Sequence, residues 1–116
     1  MFLTSSAATN GVVLKNLTVS SNIAGEHNDG GGVFIIATLD FHITGGSFVD
    51  NKSGAGAIFT STSSGSILGV TVTLNEATDF GGGIGDVGGT VTVQAAKVSG
   101  NTAPTKPDFY GTFTFV

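Results

Sequence analysis

The chain has 116 residues, among them 19 Gly and no Cys, and its 8 acidic and 4 basic residues give a net charge of −4. This balance provides no basic surface for nucleic acid or anionic membranes, and the lack of Cys excludes disulfides and thiolate metal sites. The longest apolar run, 33–37, is far shorter than the roughly 20 residues of a membrane-spanning helix. Length and Gly content together predict one domain, residues 1–116, built of short strands and turns.

Four segments of the chain align without gaps, and each carries one Asn in the same column. They are LKNLTVSSNIA (14–24), ITGGSFVDNKS (43–53), ILGVTVTLNEA (67–77) and VQAAKVSGNTA (93–103). The shared column is Asn22, Asn51, Asn75 and Asn101, with spacings of 29, 24 and 26 residues. Spacings of this size are typical of the coils of a solenoid.

Apolar residues recur at fixed positions before each Asn. They stand three positions before it, as Val19, Phe48, Val72 and Val98, and eight positions before it, as Leu14, Ile43, Ile67 and Val93. Many of the residues between them are polar or small, and alternate residues of a strand face opposite sides. We therefore expect both apolar columns to form the core. Small or turn-forming residues six positions before each Asn indicate a bend between two strands.

A second group of strands follows each Asn. Its copies are GGGVFII (30–36), GAGAIFT (54–60), FGGGIGD (80–86) and FYGTFTF (109–115). Each coil then supplies about three short strands, and like strands stack at ~4.8 Å. The sequence predicts an all-β, right-handed parallel β-helix of about four to five coils with three short parallel sheets. The predicted repeats are 11–30, 31–54, 55–80 and 81–108, with a partial last coil at 109–116.

The Asn column has a physical role in such a fold. An Asn side chain carries two N–H donors and a carbonyl acceptor, so stacked Asn residues can bond to one another and to the backbone of a turn. A buried amide without partners is costly, and a continuous ladder offsets that cost. We expect the four aligned Asn residues to form an internal ladder at a corner between two sheets.

The short motifs of the coils resemble those of a known repeat family. FVDN (48–51) matches the FxxN motif of the polymorphic outer-membrane-protein repeats, while VSSN, VTLN and VSGN have Val in place of Phe. GAGAI (54–58) and GGGI (81–84) approximate the GGA(I/L/V) motif of that family. The resemblance covers roughly residues 11–111. It implies a right-handed β-helical passenger, adhesin or surface fibre outside the cell.

Acidic residues occur in the turns that follow successive Asn residues. Gathered along one edge of the stack, they would offer an oxygen-rich surface to Ca²⁺. The candidate ligands are Glu26, Asp29, Asp79 and Asp108, with Asp86 close in sequence to the third. Asp and Gly are also the ordinary residues of turns. We therefore predict no cofactor, with Ca²⁺ as the alternative.

Asp40 and His42 stand two residues apart in LDFHI, which places both on the outward face of a strand. A carboxylate beside an imidazole can transfer protons. The column of His42 holds Val13, Ser66 and Thr92, with no second carboxylate or Arg near it. A solvated polar face is therefore the prediction, and we expect the chain to have no catalytic residue.

Two further sequence patterns do not indicate a functional site. The GGG runs at 30–32 and 81–83 lack the Gly-Lys-Ser/Thr ending of phosphate loops, and they favour close approach of neighbouring coils. A Thr array for binding ice requires one column to remain Thr, and the column of Thr71 contains Ser47 and Lys97.

The two ends of the predicted stack are apolar and uncharged in sequence. Near the last residue, Phe and Thr alternate as in a half-buried strand. A β-helix leaves strand edges unpaired at both ends, where they can pair with another chain. The residues expected to form an end-to-end interface are Phe2, Leu3, Phe113 and Phe115.

These features predict a structural, self-associating protomer of an extracellular or cell-surface fibre, whose uncapped coils stack end to end. Its partner is then a second copy of itself, since contact between unlike ends grows into a filament. One alternative is a fragment for surface display, similar to an adhesin or autotransporter passenger. Another is a carbohydrate-binding or carbohydrate-cleaving β-helix, which would need a groove with aromatic side chains and converging carboxylates.

Overall fold

The computed structural model describes residues 1–4, 12–25 and 30–116, with the backbone alone described at 2–4. In these ranges the regular elements are all strands, and no helix is present that could cross a membrane. The strands form four parallel sheets, which we name A to D. The chain is an all-β solenoid of about four turns.

Each full coil contributes one strand to each of the larger sheets, in an order that repeats along the chain, and the last coil contributes to sheets A and B only. Sheet A contains β1 (Phe2–Thr4), β4 (Val33–Ile36), β8 (Ile58–Ser61), β12 (Ile84–Val87) and β15 (Phe109–Tyr110). Sheet B contains β2 (Val13–Lys15), β5 (Phe41–Thr44), β9 (Ser64–Leu68), β13 (Thr90–Gln94) and β16 (Phe113–Phe115). Sheet C contains β3 (Thr18–Ser20), β6 (Ser47–Val49), β10 (Thr71–Thr73) and β14 (Lys97–Ser99). Sheet D contains β7 (Lys52–Ala55) and β11 (Glu76–Phe80).

The register of the sheets places like residues on like residues, as the alignment predicts. In sheet C, Val72 lies between Phe48 and Val98, and Phe48 pairs in turn with Val19. In sheet B the same relation joins Leu14, Ile43, Ile67 and Val93. Both columns face the interior and form one continuous apolar core with the inward residues of sheet A. The parallel β-helix is thereby confirmed.

Burial of the predicted core depends on the position of each coil in the stack. Ile43, Phe48, Ile67, Val72 and Val93 are buried. Three other members, Leu14, Val19 and Val98, are only half-buried although they pack against the core. These three lie on edge strands, so each has a neighbouring coil on one side only.

The residues at the corners of successive coils adopt left-handed backbone conformations. The residues six positions before each ladder Asn all have φ between 53° and 68°; they are Asn16, Gly45, Gly69 and Ala95. The residues immediately before the ladder Asn behave likewise, and they include Ser21, Asp50 and Leu74. A side chain at such φ costs roughly 1–2 kcal/mol. Successive coils carry this conformational cost at the same two corner positions. The packing of the strands on either side of each corner therefore has to stabilise the bend.

The structure adds a fourth sheet to the three that the sequence predicts. In GAGAIFT the chain bends at Gly56, whose φ is 65°, so the first residues of the segment belong to β7 of sheet D and the last to β8 of sheet A. FYGTFTF is divided in the same way between β15 of sheet A and β16 of sheet B. The alternation of apolar and polar residues gives no sign of either bend, whereas a Gly lies at each of them.

The four Asn residues form a hydrogen-bonded ladder that runs in one direction. Asn22 donates its backbone N–H and its Nδ2–H to Asn51 Oδ1 at 3.2 and 2.9 Å. Asn51 donates the same two groups to Asn75 Oδ1 at 2.9 and 3.0 Å, and Asn75 donates them to Asn101 Oδ1 at 3.0 and 2.9 Å. Every step therefore points toward the C-terminal coil.

Asn51, Asn75 and Asn101 each also bond through the side chain to the backbone of the coil that precedes them. Asn75 Nδ2 donates to the carbonyl of Phe48 at 2.9 Å, and Asn51 Nδ2 donates to the carbonyl of Val19 at 3.0 Å. One amide thus connects three coils, the preceding, its own and the next. Asn51 is 1% exposed, so its bonds are shielded from water.

We expect Asn51→Ala to lower the free energy of unfolding by about 1–3 kcal/mol, because it leaves buried donors and acceptors in two neighbouring coils without partners. Asn22→Ala is the matched control, since Asn22 is exposed and begins the described ladder. Its cost should be clearly smaller. Urea unfolding of both variants measures the difference, and equal effects of the two substitutions would contradict a ladder that stabilises through burial.

Candidate functional site

Three Phe rings lie at the C-terminal end of the core. Phe113 pairs with Val91 and Phe115 with Val93, while Phe109 pairs with Ile84, so all three continue inward columns. Their ring centroids lie 5.1–6.0 Å from one another in edge-on or tilted contacts. Phe115 is nevertheless 62% exposed. The result is an apolar surface, here named the aromatic end, formed by Phe109, Phe113 and Phe115.

The N-terminal end presents the other edge of the same sheets. Strands β1, β2 and β3 are the edge strands here, and Leu14 and Val19 are half-buried in the first coil together with Val12 and Leu17. The backbone of Phe2 and Leu3 pairs with Phe34 and Ile35. The side chains of Phe2 and Leu3 lie outside what the structure describes, so their predicted place in an interface stays a prediction.

The two ends are unlike, yet their columns match. Because all sheets are parallel, β1 and β2 of a second copy can follow β15 and β16 in the same direction. Extending the observed register of sheet B would set Phe113 against Val12 and Phe115 against Leu14 of that copy. Each contact is apolar on apolar.

The ladder ends in a carboxylate and not in a fifth Asn. Asp108 Oδ1 accepts from the backbone N–H of Asn101 at 3.3 Å and from its Nδ2–H at 2.9 Å. An ionised carboxylate accepts hydrogen bonds and donates none, so the side-chain ladder stops here. Pro104 and Pro107, which lack an N–H, and Lys106 lie in the same final segment. The prediction of stacking through uncapped coils does not include this carboxylate, and it stays a prediction for the edges of sheets A and B.

The acidic candidates for Ca²⁺ do not converge in the described residues. Asp108 is occupied with the ladder, and Asp79 lies in β11. Asp86 points inward, where its Oδ1 accepts from Thr60 Oγ1 at 2.6 Å. The described part of the chain contains no group of three or more acidic, His or Cys residues that could hold a metal ion. Glu26 and Asp29 lie outside the described residues.

The last coil crosses from sheet A to sheet B by a shorter path than the coil before it. Gly85 pairs with Tyr110, and Val91 pairs with Phe113. The crossing therefore takes three residues along the chain in the last coil and six in the coil before it. Gly111, with φ of 119°, makes this crossing directly over Asp86, where a Cβ would collide with the Asp86 carbonyl oxygen. The turn at 87–90 is consequently left uncovered.

An open pocket of about 490 Å³ lies beside that turn, and we name it the notch. It is lined by Asp86, Val87, Lys106, Tyr110 and Thr112, with three Gly between them. Asp86 is nearly buried and its carboxylate is bonded to Thr60, and the Tyr110 ring stacks on Phe80 with centroids 4.2 Å apart. A basic residue, a Thr and a Tyr therefore contribute to the lining of one pocket.

A second polar constellation lies on the outer face of sheet B. Asp40 Oδ1 is 3.0 Å from His42 Nε2, and His42 Nδ1 is 2.8 Å from Ser66 Oγ. Strand pairing sets His42 directly beside Ser66, and Thr92 follows Ser66 in the same column. The sequence indicates Asp40 and His42 as a pair that can transfer protons, with no second carboxylate or Arg near them. It assigns no role to Ser66. The register of the repeat was the signal that could have found it.

Comparisons of the chain were made with protein-family models, with curated proteins and with solved structures. None of the three found a match. The functional argument therefore depends on the geometry of the two ends, the notch and the outer face of sheet B.

Proposed function

We propose that the chain is a structural β-solenoid protomer whose copies associate end to end into a fibre outside the cell or on its surface. The observation that carries this proposal is the match between the aromatic end and the half-buried apolar residues of the first coil. Unpaired parallel edges at both ends supply the backbone donors and acceptors for such a contact. The resemblance to extracellular passenger repeats supports the location.

The symmetry of this contact favours a filament over a closed dimer. The C-terminal surface of one copy binds the N-terminal surface of the next, so the interface is heterologous and each added copy leaves both surface types free. Repeated addition along the solenoid axis does not return to its start. An open chain of copies is the expected assembly.

The size of the molecule limits the strength of the contact. Its extents are 33 × 26 × 24 Å, so two copies in contact through their largest faces enclose at most about 1,700 Å² in total. This upper bound is close to the standard size of a specific protein interface, and an end-to-end contact cannot exceed it. Association should therefore depend on concentration, with the exposed Phe residues contributing most of the buried apolar area.

Phe115→Asp should abolish end-to-end association, because it places a charge in the middle of the apolar contact. Phe115 is exposed, so the coil itself should remain folded. Sedimentation velocity over a concentration series measures the change. Thr114→Asp is the matched control, since it adds the same charge to the same strand on the opposite, outward face. A wild-type chain that remains monomeric at high concentration, or equal loss in both variants, would contradict the proposal.

Asp108→Asn should strengthen association by roughly fivefold to tenfold, which corresponds to about one additional neutral hydrogen bond. The new amide keeps the acceptor for Asn101 and gains donors that can reach Asn22 of the next copy. Asp50→Asn, which removes an equal charge from an exposed corner, controls for the change in net charge. Light scattering at matched concentrations distinguishes the two. No gain, or the same gain in both variants, would show that the ladder does not continue between copies.

The notch favours a second candidate function, the binding of a hexose-sized saccharide. Saccharides present hydroxyls that donate to a carboxylate and accept from an ammonium group, and their apolar face packs on an aromatic ring. Lys106 and Tyr110 line one pocket of suitable size and offer the ammonium group and the ring, while the nearly buried Asp86 carboxylate is bonded to Thr60. This candidate is independent of filament formation.

Saturation-transfer NMR with glucose, galactose, mannose and N-acetylglucosamine at millimolar concentration tests the notch. We expect transfer to at least one sugar, its loss in Tyr110→Ala, and its retention in Tyr110→Phe, because the ring supplies the contact. Absence of transfer to all four sugars would contradict this function, as would unchanged transfer in Tyr110→Ala.

A further inference from the structure

We propose that Ser66 is a nucleophile activated by His42 and Asp40, and that it accepts an acyl group from small esters. The proposal concerns the outer face of sheet B and goes beyond the proposed structural function. It replaces the sequence-based expectation that Asp40 and His42 form only a solvated polar face. The three side chains form an unbroken relay with contacts of 3.0 and 2.8 Å.

The Asp40 carboxylate fixes the tautomer of the neutral His42 imidazole. The ionised Asp40 carboxylate can only accept a hydrogen bond, so His42 Nε2 carries a proton and donates it to Asp40 Oδ1. In neutral imidazole the other nitrogen is then an acceptor. His42 Nδ1 therefore accepts from the Ser66 hydroxyl. In this order of donors and acceptors, Ser66 is the nucleophile, His42 is the general base and Asp40 is the carboxylate that orients the imidazole.

The fold holds this relay on rigid elements. His42 and Ser66 are paired residues of adjacent parallel strands in the middle of a five-stranded sheet, and Asp40 immediately precedes the first of these strands. The backbone of Asp40 has φ of 57°, in the left-handed region where Asp is tolerated better than most residues. This bend places the carboxylate beside Nε2.

The outer face leaves the Ser66 hydroxyl open to small molecules. The His42 and Asp40 side chains are 42% and 62% exposed, and Ser66 itself is half-buried. Thr92 pairs with Ser66 on the next strand, so its hydroxyl stands about one strand spacing, ~4.8 Å, along the column. A hydroxyl in this column can donate a hydrogen bond to a developing oxyanion.

The reaction is an ordinary acyl transfer. Ser66 Oγ bonds to the ester carbonyl carbon while its proton passes to His42 Nδ1, giving an imidazolium held by Asp40. The carbon–oxygen bond to the alcohol then breaks, and the alcohol leaves with the proton from Nδ1. Water repeats the two steps on the acyl-Ser66, which returns the free hydroxyl and releases the acid. No cofactor or oxidant takes part.

The test is covalent labelling with a fluorophosphonate, in which Ser66 Oγ displaces fluoride at phosphorus. Peptide mapping by mass spectrometry should place the label on Ser66 in the intact chain. His42→Gln should slow labelling at least tenfold, as general-base catalysis contributes typically 10²–10⁴-fold. Ser66→Ala should give no label at this peptide. Hydrolysis of p-nitrophenyl acetate by the same variants provides the second readout, because Ser66→Ala retains His42 and so reveals any direct attack by the imidazole.

Ser64→Ala is the matched control, since Ser64 lies on the same strand and outward face, two residues from Ser66. It should label at the wild-type rate, and far-UV circular dichroism of each variant shows whether the coil is intact. Labelling spread over several hydroxyls of the sheet, or a folded His42→Gln protein that labels as fast as the wild type, would overturn the proposal. Ester hydrolysis that persists unchanged in Ser66→Ala would overturn it as well.

Discussion

The described fold depends on a directional column of amides. Each ladder Asn donates two N–H groups to the Oδ1 of the next rung, and Asn51, Asn75 and Asn101 each bond back to the coil before. Because the rungs are nearly excluded from water, a change of register by one residue would leave several buried groups without partners. The apolar columns supply most of the burial, and the ladder fixes which residue lies over which. Both repeat at every coil.

A directional column has unequal ends, and this inequality links the fold to the proposed assembly. The first described rung, Asn22, is exposed, while the last is the carboxylate of Asp108, which accepts and cannot donate. The apolar core has no such asymmetry and remains open at the aromatic end. In the proposed assembly, the ladder corner would limit stacking and the edges of sheets A and B would favour it. With these opposing tendencies, the proposed association would be reversible and sensitive to concentration.

The sequence predicts the structural features that recur in successive coils. It does not predict the features that occur in a single coil. Both apolar columns, the Asn ladder and the neighbours of His42 follow from aligning like coils. The bend between sheets D and A is marked only by a Gly, so the alignment does not predict the fourth sheet. The shortened crossing at Gly111 and the role of Asp108 arise where a coil departs from the repeat. No second copy of these features exists to align. Ser66 lay within the predicted column, but a hydroxyl is common on strand faces and only the measured contact with His42 separates it from its neighbours.

Hydrogen exchange of the Asn side-chain amides tests the central claim, that stacked amides shielded from water fix the register of the coils. The account predicts that the Nδ2 protons of Asn51, Asn75 and Asn101 exchange far more slowly than those of Asn16, which lies at an exposed corner. NMR on the intact chain resolves these protons individually. Equal, fast exchange at all four residues in a folded protein would contradict the account.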